Sequence, residues 1–141
     1  MSDRINDDTN RLVGILTRDD AAQAAVAEAR IAGAALVALT MPALCERVWV
    51  LRSRYRHAPA DIAEAVRRLT RAANVAVDRP AVEAGLAALE AGGDFADSVI
   101  AYEGAWLGAD TFASFDRRAV ALLHSAGVAA EWLMSGDTIP D

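Results

Sequence analysis

Short apolar runs separated by helix-length segments constrain this chain more than any other feature. Residues 35–40 (ALVALT), 74–77 (NVAV) and 111–115 (TFASF) are each long enough for one short strand. A continuous apolar run of this length suits a parallel strand buried on both faces. Residues 4–8 and 128–130 are expected to add a first and a last strand. Between the runs lie stretches with helical periodicity. One sets Leu44, Val48 and Leu51 on a single face, and another does the same with Ile62, Val66 and Leu69. Strands alternating with helices predict an α/β fold with a mostly parallel sheet, in one domain.

Punctuation between the segments is local and specific. Residues 10–18 are expected to form a short helix, and Asp19 and Asp20 stand before an alanine-rich helix that Gly33 ends. Pro42 fits a first helical turn, as does Pro59 with Asp61. Asp78 and Pro80 open a helix that stops at Gly92 and Gly93. Asp94 or Asp97 starts the next, to about Leu107, and Asp116 precedes a helix over residues 117–125 that Gly127 stops. The 54% apolar content is driven by alanine, so helices should outweigh strands.

Composition removes several functions. The chain has no lysine, hence no P-loop lysine and no Schiff-base chemistry. The single cysteine, Cys45, excludes an internal disulfide and a multi-cysteine zinc site. A reducing, cytoplasmic setting is the expectation. The polar N-terminus is no signal peptide, and the apolar run at residues 31–44 is too short to span a bilayer. No membrane partner is expected. A net charge of −6 argues against general attraction to nucleic acid. Locally the sign reverses, with Arg47, Arg52, Arg54, Arg56, Arg67, Arg68 and Arg71 set against Asp61 and Glu64. These arginines read either as a solvated face or as contacts to an RNA backbone.

Four acidic motifs remain. They are DTN at Asp8, Thr9 and Asn10, ERVWVLR beginning at Glu46, GGDFADS containing Asp94 and Asp97, and SFDRR containing Ser114 and Asp116. Taken singly, Asp8, Asp97 and Asp116 could each be a helix N-cap, and Glu46 a solvated helix residue. Taken together, carboxylates from distant places repel unless a cation sits among them. A hard ion such as Mg²⁺ accepts such oxygens and can activate water against a phosphate.

In this order and spacing the motifs resemble a PIN domain of the VapC type, the ribonuclease toxin of toxin–antitoxin pairs. The residues that carry the resemblance are DTNRLVGILTRDD (8–20), ERVWVLRSRY (46–55), EAGGDFADS (90–98) and SFDRRAV (114–120). It implies a helix-rich, three-layer α/β/α domain over residues 1–131 with a mostly parallel five-stranded sheet, followed by a tail at 132–141. It further implies an endoribonuclease dependent on Mg²⁺ or Mn²⁺, with Asp8, Glu46, Asp97 and Asp116 as the catalytic acids. Asp8, Asp97 and Asp116 would hold metal, with Ser114, Thr9, Asn10 and Asp94 in support. Arg52, Arg54, Arg56, Arg67 and Arg68 are the candidate RNA contacts. The implied partners are RNA, a VapB-like antitoxin and a second copy of the chain. The alternative is a module of the same fold that binds antitoxin or RNA without cutting.

The chain departs from the family pattern at Asn6 and Asp7, where apolar strand residues are usual, and at Arg11 and Gly14. Asp7 is a substitute ligand only if it points the way Asp8 should, and neighbours in a strand face opposite sides. Trp49 and Trp106, among apolar neighbours, are expected in the core, while the place of Trp132 is left open, a dimer or partner interface being one option. Gly104 and Gly108, at GxxxG spacing, are expected to allow close helix packing.

Overall fold

The computed structural model describes residues 3–9, 12, 16 and 21–133. The expected helix over 10–18, the acidic cap at Asp19 and Asp20, Asn10 and the tail beyond Leu133 lie largely or wholly outside the described residues. Leu12 falls within them and is fully buried. The chain divides into two compact units, Met1–Val82 and Glu83–Asp141.

In the first unit, β1 (Arg4–Asp7) pairs in parallel with β2 (Leu36–Leu39), and β2 with β3 (Val75–Ala76). Helix α1 (Ala21–Ala32) precedes β2, α2 (Met41–Ser53) follows it, and α3 (Pro59–Thr70) precedes β3. The polar strand β1 forms despite holding only one apolar residue. Within the three strands of this unit it ends the order and leaves the central position to the apolar β2. Period-two alternation puts Ile5 and Asp7 on one face, and Asp7 is the buried residue of the four.

Helix α2 begins as its sequence predicts. Pro42 lies in the first turn, and the Thr40 hydroxyl accepts the Ala43 N–H at 3.4 Å. Leu44, Val48 and Leu51 are buried, as are Ile62, Val66 and Leu69 on α3, and the two helices pack together. Side chains close the loops. Asn74 Nδ2 donates to the carbonyls of Ile31 (2.8 Å) and Ala34 (3.1 Å), and so fastens the end of α1 to the start of β3. Arg79 donates to Thr70 O at 2.8 Å, meeting one of the carbonyls left over at the end of α3.

Helix α4 (Arg79–Glu90) contains the division between the units, and Asp78 accepts the Ala81 N–H at 3.2 Å before it. In the second unit come α5 (Phe95–Trp106), β4 (Phe112–Ser114), α6 (Arg117–Ser125) and β5 (Ala130–Trp132). Strands β4 and β5 pair in parallel, and α6 packs on both. Leu86, Leu89, Phe95, Val99, Val120 and Leu123 are buried. A Cβ at Gly85 would come within 2.5 Å of the Phe95 ring, so glycine is what admits that ring.

Three expectations need correction. The last strand begins at Ala130 rather than Val128. Gly127, at φ +83°, closes α6 and commits the Val128 N–H to the Leu123 carbonyl at 2.9 Å, which delays the strand. Trp49 and Trp106 are not core residues, being 54% and 77% exposed. Trp49 follows Val48 directly, so a helical step of one residue turns it off the buried face of α2. Among the described residues, no helix comes close to Gly104 or Gly108. Gly108, at φ +103°, ends α5, with the Ala109 N–H bonded to Gly104 O at 2.9 Å.

The result is an α/β protein, helix-rich, with short parallel strands. Among the described residues no helix is long and apolar enough to cross a membrane.

Candidate acidic site

Asp8 directly follows β1, beyond its carboxyl end, where parallel α/β folds place ligands. It is exposed, whereas Asp7 before it is buried and accepts the Thr9 N–H at 3.0 Å. Thr9 is fully buried and adopts φ +66°, a conformation that branched side chains rarely take. Its hydroxyl lies within hydrogen-bond range of Asp8 O and of Ala43 O, the latter at 3.2 Å. Arg47 Nε makes a long contact, 3.5 Å, to the Asp8 carbonyl.

Both ties reach the first turns of α2, the helix that carries the exposed Glu46. Asp8 and Glu46 are thereby held in one neighbourhood of the first unit. The buried Leu44, Val48 and Leu51 set the rotation of α2 and leave Glu46 on its solvent side. Thr9 thus has a structural task, locking the turn behind Asp8, which the motif alone did not reveal. Backbone strain of this kind persists only where surrounding contacts enforce it.

In the second unit three acids converge on two helix starts. Asp94 caps α5, accepting the Ala96 N–H at 2.8 Å. Asp97 stands in the first turn of the same helix, half-buried. Asp116 caps α6, accepting the Ala119 N–H at 3.1 Å through one carboxylate oxygen. Capping engages a single oxygen, so it does not compete with ligation through the other. The Ser114 hydroxyl accepts the Asp116 N–H at 2.9 Å and so fixes the turn that presents this acid. Arg118 donates to Gly92 O at 3.1 Å, joining the turn before α5 to the first turn of α6.

The electrostatics agree with this convergence. The Asp97 carboxyl is held above the ordinary carboxylate value, first by burial, then by the negative charges of Asp94 and Asp116. Crowded carboxylates of this kind are relieved by a cation. The donors are all oxygen, the preference of Mg²⁺ and Mn²⁺. Among the described residues, no group of three or more His, Cys, Asp or Glu side chains is placed so that it could hold a metal ion.

The candidate arginines belong to the first unit. Arg52 lies in the last turn of α2, with Arg54 and Arg56 just after it, and all three are exposed. Arg68 is exposed and Arg67 half-buried in the last turn of α3. Cations there also suit the negative ends of the two helices.

Compared with known proteins, the chain matches no protein-family model and no curated sequence. The residues themselves therefore carry the functional argument.

Proposed function

We propose that this chain is a metal-dependent endoribonuclease of the PIN fold, acting as the toxin of a toxin–antitoxin pair. The observation that carries the reading is the setting of Asp97, where burial first and the charges of Asp94 and Asp116 next leave its carboxyl reluctant to ionise without a cation. The reading includes a three-layer α/β/α domain with a mostly parallel five-stranded sheet. Asp97 and Asp116 would hold Mg²⁺ or Mn²⁺. Asp8 is the further ligand and Glu46 the further acid that the resemblance requires. When bound, the metal supplies an activated water and neutralises charge on the phosphate under attack.

The chain's own residues do the rest. Asp94 fixes the first turn of α5 and with it the direction of Asp97. Ser114 holds the Asp116 turn, and Thr9 the Asp8 turn. Arg52, Arg54, Arg56, Arg67 and Arg68 would bind the RNA backbone, since guanidinium groups match phosphate in charge and geometry. Neither histidine nor lysine is needed. The partners in this reading are RNA, a VapB-like antitoxin and a second copy of the chain.

The test is cleavage of end-labelled RNA by antitoxin-free protein, with Mg²⁺ or Mn²⁺, with EDTA, and with Asp97→Asn in parallel. Cutting that needs metal and disappears in the variant supports the nuclease. Binding of RNA or antitoxin without cutting, unaffected by EDTA, supports instead a module that binds and does not cleave.

A further inference from the structure

We infer that Trp132, with Arg117 beside its ring, forms a stacking platform for an unpaired RNA base beside Asp116. This rests on the nuclease reading and names how its substrate would be held. Strand β5 sets Trp132 in register with Ser114, the residue whose hydroxyl accepts the Asp116 N–H. The indole N–H donates to the Phe115 carbonyl at 3.1 Å. The Arg117 guanidinium carbon lies 5.0 Å from the centre of the indole ring. One residue on, the Leu133 N–H donates to Ser114 O at 2.8 Å. The ring is therefore tied to the very turn that presents Asp116.

Trp132 is 40% exposed and Phe115 is 62% exposed. Large aromatic rings left in water have given up the gain of burial. A ring both exposed and fixed is prepared for a flat partner, because little freedom remains to be lost on contact. Bases stack on such rings with little regard to sequence, and arginine beside them adds attraction for base and phosphate. The cation also matters for charge. Asp116 and Glu131 flank the platform and repel phosphate, and Arg117 offsets this where the backbone would pass. Single-stranded RNA satisfies both demands, a planar group for the indole and an anion for the guanidinium.

The test is filter binding of a short unstructured RNA to the full chain in EDTA, where nothing is cut. Trp132→Ala should weaken binding by about tenfold, and Trp132→Phe by less. Arg117→Ala should lower the dependence of binding on salt by about one counterion. An RNA lacking a base at one position should bind the native chain less tightly than the intact strand.

Circular dichroism checks that each variant is folded. If Trp132→Ala is not, comparing Trp132→Phe with Trp132→Leu separates an aromatic ring from mere apolar bulk. Equal binding by the ring and non-ring variants, or by the intact and base-lacking strands, overturns the proposal. So does a Trp132 dependence seen with acidic peptides and not with RNA. Cleavage run in parallel with Mg²⁺ separates the two claims. Ring-dependent binding without cutting removes the nuclease and keeps the platform. Cutting with a KM indifferent to residue 132 removes the platform and keeps the nuclease.

Discussion

The carboxylate of Asp7 accepts the backbone N–H of Thr9 at 3.0 Å. Adjacent acids at the end of one short strand therefore have different tasks. Asp7 is buried and completes the turn, while Asp8 is exposed at its mouth. Asp7→Ala should lower stability by about 1–3 kcal/mol, the cost of a buried N–H left without its acceptor. Asp8→Ala should cost less stability than Asp7→Ala and abolish RNA cleavage. Urea denaturation of both variants, alongside the cleavage assay, checks the division. Equal loss of stability in the two would refute it.

Asp97 gives a prediction with a fixed sign. Its folded-state pKa lies above its usual 3.8, so the native state holds the proton more firmly than the unfolded chain does. The associated stability is present at low pH and is lost as pH rises through the raised value. Asp97→Asn mimics the protonated form. It should melt at a higher temperature than the native chain at pH 7, and this advantage should shrink as pH falls toward 3.8. Thermal melts across that range measure it, and a variant less stable at neutral pH would contradict the raised pKa that burial and the two neighbouring acids give Asp97.

A divalent cation should reverse the order. Mn²⁺ at about a hundred times its Kd stabilises a folded protein that binds it by roughly 2.7 kcal/mol. The native chain should gain that stability, and Asp97→Asn and Asp116→Asn should gain little. Titration calorimetry on the same three proteins checks that heat of binding and melting shift disappear together.

Gly85 is placed to position Asp97 from a distance. Its absent Cβ leaves room for Phe95, which is buried two residues before Asp97 on α5. Gly85→Ala should cost about 1–3 kcal/mol through overpacking. It should also depress cleavage in protein that remains folded, because displacing Phe95 displaces the first turn of α5. Cleavage by folded Gly85→Ala at the native rate would show that Phe95 does not set the direction of Asp97.

The features readable from sequence are those whose cause is local. Pro42, Pro59, Asp94 and Asp116 each mark a helix start through their own chemistry, and each stands where the structure starts one. The spacing of Leu44, Val48 and Leu51 correctly gave the buried face of α2. The same spacing turns Trp49, one residue on, outward. Other features depended on partners that a single segment does not contain. The pairing of the polar β1 with the apolar β2 is one, since it joins residues 4–7 to residues 36–39. The late start of β5 follows from a bond spent on closing α6. In the candidate site, the caps Asp94 and Asp116 and the hydroxyl of Ser114 were legible as residues. The clamp of Thr9 on Ala43 was not, since it joins positions 9 and 43.

The fastening of Trp132 to the Phe115 carbonyl also makes the indole an optical gauge of the acidic turn. The chain has three tryptophans, and the other two stand on exposed helix surfaces. With Trp49 and Trp106 replaced by phenylalanine, emission would come from one ring, lying between a guanidinium and a carbonyl. A proton on Asp116, a cation beside it or a base against the ring would each perturb that environment. Events at this carboxylate would then be visible as a change in colour and intensity of native light, with no label attached.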